Sequence, residues 1–378
     1  MGKWELVSVS EVTNILDNKR VPITASERRS GKYPYYGANG VQDYIDNFIF
    51  DDELVLLAED GGNFGSATRP IAYRVSGKCW VNNHAHVLKP KEEIDVDYLC
   101  YSIMFYDVLP LISGTTRAKL NKSALSKMLI PLPPLDIQKR IAAALDTANA
   151  LIEKRKEQIE KLDFLIKSQF IEMFGDPVTN PKGWSVNSLA QHLKVIGGYT
   201  FKSTGYTMTG IPVLRIGNIN TGTLTLNDLV YWTYTESLER YFIYPGDLVM
   251  SLTGTVGKDD YANVCVLPAF FDRYYLNQRN AKLNIFGDLS NMYLLYLLRN
   301  KEIKKKLTGI SRGIRQANIS NSDILSLNVP IPPLSLQNQF AEFVEKVEAQ
   351  KALLQKSLAD MEQNYQSLLQ KCFKGEIF

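Results

Sequence analysis

Base edges in a nucleic-acid groove are read by few side-chain types: Arg or Lys toward guanine, Asn or Gln toward adenine, Asp or Glu toward the cytosine amino group. In this chain such residues recur in segments punctuated by glycine. The first half offers Lys32, Tyr33, Tyr36 and Asn39, then Asp60 and Asn63, then Asn82, Asn83 and His84. The second half offers Arg215 and Asn218, then Thr253, Thr255 and Lys258, then Asn277, Gln278 and Arg279. A second group, Arg117, Lys119, Arg312 and Arg315, suits phosphate contacts that position a protein without specifying sequence. For each residue taken singly, a solvated surface side chain is the competing reading.

Other chemistries are poorly served. His84 and His86 are spaced like ligands on a strand, but with His192 the only further histidine and no C-x-x-C pair, a metal centre is not expected. Cys79, Cys100, Cys265 and Cys372 stand far apart and read as reduced structural thiols. Asp51, Asp52, Glu53, Glu59 and Asp60 lack the D…E-x-K core of a nuclease and read as an acidic loop. Neither an N-P-P-[FY] adenine methyltransferase motif nor a phosphate-binding G-x-x-x-x-G-K-[ST] loop occurs. No catalytic residue is expected.

The 378 residues, 45% hydrophobic, are enough for two or three domains with cores of their own. Net charge is only +3, so nucleic-acid binding would have to come from local basic clusters. Apolar runs are too short to span a bilayer, and the start, Met1-Gly2-Lys3-Trp4, lacks a signal-peptide core, so a cytoplasmic protein without membrane contact is expected.

These scattered candidates are organised by an internal repeat. Ile130-Pro131-Leu132-Pro133-Pro134-Leu135 aligns with Val329-Pro330-Ile331-Pro332-Pro333-Leu334 at a shift of 199 residues, and the same shift aligns the segments around Arg117 and Gln316. Gly2-Lys3-Trp4 resembles Lys182-Gly183-Trp184. Each half thus has a variable front and a similar back, a duplicated pair of domains and not a solenoid. The fronts read as mixed α/β, with strands expected near 53–58, 71–75, 213–216, 247–252 and 263–267 and glycine-rich corners at 59–65 and 251–258.

Proline forbids a helix through either break, so a helix starts after each, with Asp136 and Ser335 as expected N-caps. Heptad spacing follows. Leu145, Ile152, Ile159, Ile166 and Met173 alternate with Ile141, Ala148, Arg155, Leu162 and Gln169. In the second helix Val344, Lys351, Leu358, Tyr365 and Cys372 alternate with Phe340, Val347, Leu354, Met361 and Leu368. Two such seams, each some 37 residues long, are best buried against each other as an antiparallel pair.

The paired P-x-P-P-L breaks, Gln138 and Gln337 just inside each helix, the Phe174-Gly175-Asp176-Pro177 exit and the Phe373-Lys374-Gly375-Glu376 ending together resemble the specificity subunits of type I restriction-modification systems over essentially the whole chain. The resemblance implies two target-recognition domains, 1–130 and 177–329, alternating with a central long helix, 131–176, and a C-terminal one, 330–378. It also implies a non-catalytic reader of a bipartite site in double-stranded DNA, with half-site spacing set by the coiled coil. The expected partners are two methyltransferase subunits carrying S-adenosylmethionine and, in some assemblies, restriction subunits. No cofactor is expected on this chain, and its tail is expected to lie near its N-terminus, imitating the central junction.

Overall fold

The computed structural model describes residues 3–114, 118–309 and 316–378. The chain forms two compact units, Met1–Glu157 with Gln355–Phe378, and Gln158–Leu354. Two long helices, Leu135–Phe174 and Leu334–Lys374, are each divided between them. The architecture is mixed α/β, two sheet-rich parts and two long helices packed together. No described helix is long and apolar enough to cross a membrane.

In the first unit a six-stranded sheet runs in the order Thr13–Ile15, Ala85–Pro90, Phe50–Ala58, Ala72–Val81, Ser30–Gly37, Gly40–Ile45. Neighbours are antiparallel except Ser30–Gly37 and Ala72–Val81, which run parallel. Its central strand is buried on both faces, and strand alternation sorts its side chains. Val55 and Leu57 join a core containing Tyr98, Leu99, Ile141, Leu145, Tyr365 and Cys372, while Leu54 and Leu56 face a second cluster with Phe50, Val75 and Val87.

In the second unit a four-stranded sheet, Leu193–Gly197, Asn280–Ile285, Leu248–Ser251, Val264–Val266, accompanies another, Val230–Trp232, Ile211–Leu214, Tyr274–Leu276, Phe242–Ile243. Leu248 and Met250 pack into the core with Phe170, Phe174, Tyr293 and Phe340, whereas Val249 packs with Leu214 and Tyr274 between strands. Tyr293 stacks on Phe170 at 5.6 Å between centroids, and Phe340 meets Phe170 and Phe174 edge-on at 5.5 and 5.4 Å.

Every expected seam position of both helices is buried or half-buried. Their pairing is antiparallel: Lys156 lies 3.7 Å from Glu362 in the first unit, and in the second Lys351 pairs with Asp163 and Phe340 with Phe170. The helix starts need correction. The carbonyl of Pro134 accepts the Ile137 and Gln138 N–H groups at 2.9 and 3.0 Å, and that of Pro333 accepts those of Leu336 and Gln337. The prolines are therefore the boundary residues, and Asp136 and Ser335 lie inside the first turn, where they complement the helix dipole or face solvent instead of capping.

The repeat is visible as repeated hydrogen bonds. Tyr98 Oη donates to the Pro131 carbonyl and Tyr293 Oη to that of Pro330, each at 2.7 Å. Strand Leu6–Ser8 pairs with Leu129–Pro131 as Ser185–Ser188 pairs with Asn328–Ile331. Each long helix ends on a glycine in the left-handed region, Gly175 at φ +78° and Gly375 at φ +70°. In the second unit Trp184 Nε1 donates to the Phe174 carbonyl at 2.9 Å, and in the first the Lys3 N–H donates to that of Lys374 at 3.3 Å. A Cβ on Gly375 would come within 2.8 Å of Trp4 Nε1, so the chain start does pack on the tail. All four cysteines are free and buried, and burial pushes the thiols of Cys79, Cys100 and Cys265 up to about 12.

Candidate nucleic-acid interface

Strand Ala72–Val81 ends beside Ser30–Gly37, and the next residue, Asn82, donates its N–H to the Tyr36 carbonyl at 3.0 Å. Asn82 Oδ1 then accepts the N–H of His84 at 2.8 Å, closing a turn, while the His84 carbonyl accepts the Glu59 N–H at 2.9 Å. Glu59 in turn accepts, at its carbonyl, the Leu120 N–H at 2.7 Å, and Asp60 bridges to Lys119. Three segments distant in sequence are thereby joined: the corner at Glu59-Asp60, the turn at Asn83-His84, and the stretch before the proline break.

The second unit repeats this frame residue by residue. Asn277 donates its N–H to the Leu214 carbonyl at 3.3 Å, and its Oδ1 accepts the Arg279 N–H at 3.3 Å. The Arg279 carbonyl accepts the Leu252 N–H, and the Leu252 carbonyl accepts the Ile319 N–H, both at 2.8 Å. Thr253 pairs with Asn318 where Asp60 bridges to Lys119.

The frame sorts the sequence candidates. Asn39 joins the first group, its Nδ2 donating to the Gly61 carbonyl at 2.9 Å, and His84 Nδ1 lies 2.7 Å from Asp60 Oδ1. Asn63 is half-buried and ties its own loop through the Pro70 carbonyl. Lys32, Tyr33 and Tyr36 lie on strand Ser30–Gly37; Lys32 covers the Tyr33 ring, Tyr33 packs on Phe48, and Tyr36 packs on Tyr73. Among the described residues no hydrogen bond ties the Lys32 or Tyr33 side chain to the turn.

In the second unit Arg215 Nη2 donates to the Asp228 carbonyl, and its Nε is buried without a hydrogen-bond partner among the described residues. Arg215, Gln278 and Arg279 line one cleft of about 740 Å³, with Asn220, Thr221 and Asp228. Lys258 is exposed on the turn that follows Thr255, whose hydroxyl donates to Asp260 Oδ2 at 2.9 Å. Arg117, Arg312 and Arg315 lie outside the described residues.

Several expectations are corrected. Asn82, Asn218 and Asn277 are buried and serve their own loops: Asn218 Nδ2 donates to the carbonyls of Thr225 and Asn227, and its Oδ1 accepts the Arg215 N–H. They shape the surface and are not displayed on it. Thr253-Gly254-Thr255 is a strand paired with Gln316–Asn318, not a corner, and Gly254 is needed because a Cβ there would strike Asp260 and Tyr261. The strand expected at 213–216 ends at Leu214, since Ile216–Asn218 turns into a short 3-10 helix.

Two further features, outside the candidates drawn from the sequence, shape this surface. Arg20 reaches Glu59 at 2.5 Å, Asp17 at 3.6 Å and the Ala85 carbonyl at 2.8 Å, bracing the turn from below. Helix Lys301–Thr308 exposes Lys301, Lys305 and Lys306, a basic strip readable in its Lys304-Lys305-Lys306 run.

Asp17, Glu59 and His86 lie close enough to suggest a cation site. Their donors are otherwise engaged. Lys119 Nζ sits 2.8 Å from Glu59, His86 Nδ1 sits 2.6 Å from Asp17, and His86 Nε2 is 2.7 Å from the Leu120 carbonyl. Burial raises the Asp17 carboxyl, but the His86 bond and charge outweigh it and hold it below its ordinary value. Glu59 is likewise raised by burial and brought below its ordinary value by Lys119, Arg20 and His86. The cluster is an internal ion-pair network beneath the turn.

A family model, the type I restriction modification DNA specificity domain, matches residues 1–161 and 181–363. A Haemophilus influenzae protein assigned as a type I restriction enzyme specificity subunit is 28% identical, covering 90% of this chain and 86% of that one. The S subunit of a type I restriction-modification system from M. genitalium has the same fold at 14% identity, with a TM-score of 0.59 over 98% of this chain and 96% of that one. A chain solved in work on complex assembly and conformational transition of the type I system matches at 17% identity and a TM-score of 0.60, over 100% and 98%.

Proposed function

The chain belongs to the type I restriction-modification DNA specificity family, and from that membership we propose how its two halves divide the reading of DNA. As a specificity subunit it is the non-catalytic member of a type I complex and determines the recognition sequence. Residues 1–130 read one half of a split site in double-stranded DNA and residues 177–329 read the other. The long helices within 131–176 and 330–378 fix the gap, since a rigid spacer converts its length into half-site separation, about 34–36 Å per turn of duplex.

The observation that carries this reading is the duplicated frame, which presents different polar side chains in the two units on the same backbone bonds. Asn39, Asp60, Asn83 and His84 form the reading surface of the first unit; Arg215, Gln278 and Arg279 form that of the second. Lys258 and the strip Lys301–Lys306 supply phosphate contacts, as Arg117, Arg312 and Arg315 do in the repeated segment. Methyl transfer belongs to two partner methyltransferase subunits, which bind S-adenosylmethionine and flip the target adenine out of the stack. Restriction subunits join some assemblies, and the complex works in the cytoplasm.

The test is to map adenine methylation across the genome of a methylation-free host expressing this chain with its neighbouring methyltransferase subunit, against a host lacking this chain. A new split motif with a fixed gap, seen only when both are present, is the expected result. A stable complex that leaves the genome unmethylated would overturn the reading. So would methylation by this chain alone, because a reader has no chemistry of its own.

A further inference from the structure

Within the duplicated frame, we infer that the two residues displayed by each turn, Asn83-His84 in the first unit and Gln278-Arg279 in the second, set which bases each half-site carries. This rests on the two-reader assignment above and narrows it to four positions.

Both turns are closed by a buried Asn whose Oδ1 accepts the N–H two residues on, and both are anchored to a parallel strand neighbour and to the corner segment. The backbone is thus held alike, and only the displayed side chains differ. Asn83, Gln278 and Arg279 are exposed, and among the described residues their side chains have no hydrogen-bond or ion-pair partner. Among the described residues nothing inside the fold engages these side chains, whereas Asn82 and Asn277 are spent on the frame.

The displayed pairs are chemically unlike. Gln278 presents a carboxamide able to meet adenine through two bonds, and Arg279 a fork that matches guanine O6 and N7. Asn83 offers a shorter carboxamide. His84 is steered by Asp60: a carboxylate only accepts, so Nδ1 carries the hydrogen and Nε2 is left free. The counterpart of Asp60 is Thr253, which carries no charge, so no carboxylate from that corner competes for Arg279. The Gln278-Arg279 turn also forms one wall of the cleft that holds Arg215, whose buried Nε lacks a partner.

The experiment maps methylation in the same host with the full chain and its methyltransferase subunit, comparing wild type with Arg279→Ala, Arg279→Lys and Asn83→Ala, each checked for copurification of the complex. The expected result for Arg279→Ala is relaxation at one base position in one half of the motif, with methylation at sites carrying other bases there rising roughly tenfold or more, and the other half unaltered. Arg279→Lys keeps the charge but loses the fork, and shows the same relaxation. Asn83→Ala alters only the opposite half.

An unchanged motif in these variants would overturn the inference, as would changes spread over both halves. Loss of methylation in Arg279→Ala with full recovery of the wild-type motif in Arg279→Lys would also overturn it, because that pattern marks a phosphate contact. A wild-type chain that gives no split motif would sink the two-reader assignment itself, and the inference with it.

Discussion

Gln138 holds the start of another helix: its Oε1 accepts the backbone N–H of Asp95, the N-cap of Val96–Ile103, at 2.8 Å. Its Nε2 donates to the carbonyls of Glu93 and Pro133 at 3.0 and 2.8 Å. Gln337 does the same for Ser290, Asp288 and Pro332. One buried carboxamide thus ties a proline break, a strand-to-helix loop and a long helix together in each unit. Gln138→Leu leaves three backbone groups unpaired, that of Pro133 buried and those of Asp95 and Glu93 partly so, and is expected to cost roughly 2–4 kcal/mol, measured by urea unfolding of the full chain. A loss below about 0.5 kcal/mol would mean that water replaces the amide without penalty.

Phe340, fully buried, is the ring shared by the aromatic cluster of the second unit. Phe340→Ala is expected to cost about 3–5 kcal/mol through lost burial and the cavity left behind. Hydrogen exchange should show protection falling first in residues 158–354, with Phe340→Leu recovering most of it. Equal loss of protection in both units would contradict a core local to the second.

Acid should loosen the first unit through Asp17 and Glu59. Both carboxyls are held below their ordinary values in the folded chain, so on lowering the pH the unfolded chain takes up protons first. Their contribution is full above the ordinary carboxylate range, about pH 4–5, and is lost as the pH falls through the lowered folded values. Unfolding free energy measured from pH 7 to pH 3 should drop, and Asp17→Asn/Glu59→Gln should start lower at pH 7 but fall less steeply. Parallel slopes for variant and wild type would contradict this.

Lys351 occupies a seam position, paired with Asp163 and 3.9 Å from Glu348. A half-buried pair of this kind adds little net stability, because desolvating the ammonium offsets its attraction to the carboxylate. Lys351→Leu should leave unfolding free energy within about 1 kcal/mol of wild type or raise it, read from thermal and urea melts. A larger loss would show that the pair, and not apolar burial, holds this stretch of the helices.

Periodicity and punctuation made the scaffold legible in the sequence. A 3-4 apolar repeat after a proline break permits little except a long helix with one buried face, and two such repeats in one chain call for each other. The duplication also disclosed that Gln138 and Gln337, or the two P-x-P-P breaks, do equal work, because identical residues at a constant shift fold alike. The helix boundaries were not legible in the sequence, since the first N–H groups bond to the Pro134 and Pro333 carbonyls and not to the side chains of Asp136 and Ser335.

The reading surface could be decided only by the tertiary structure. Asn82, Asn83, Asn277 and Gln278 are the same kind of residue in sequence, yet two are buried in turns and two face outward. Burial depends on which distant strand lies alongside: Tyr36 for one turn and Leu214 for the other, each scores of residues away in the chain. Local sequence sets what a side chain can bond to. The packing of non-local strands sets whether that capacity is spent inside the fold or left for a partner.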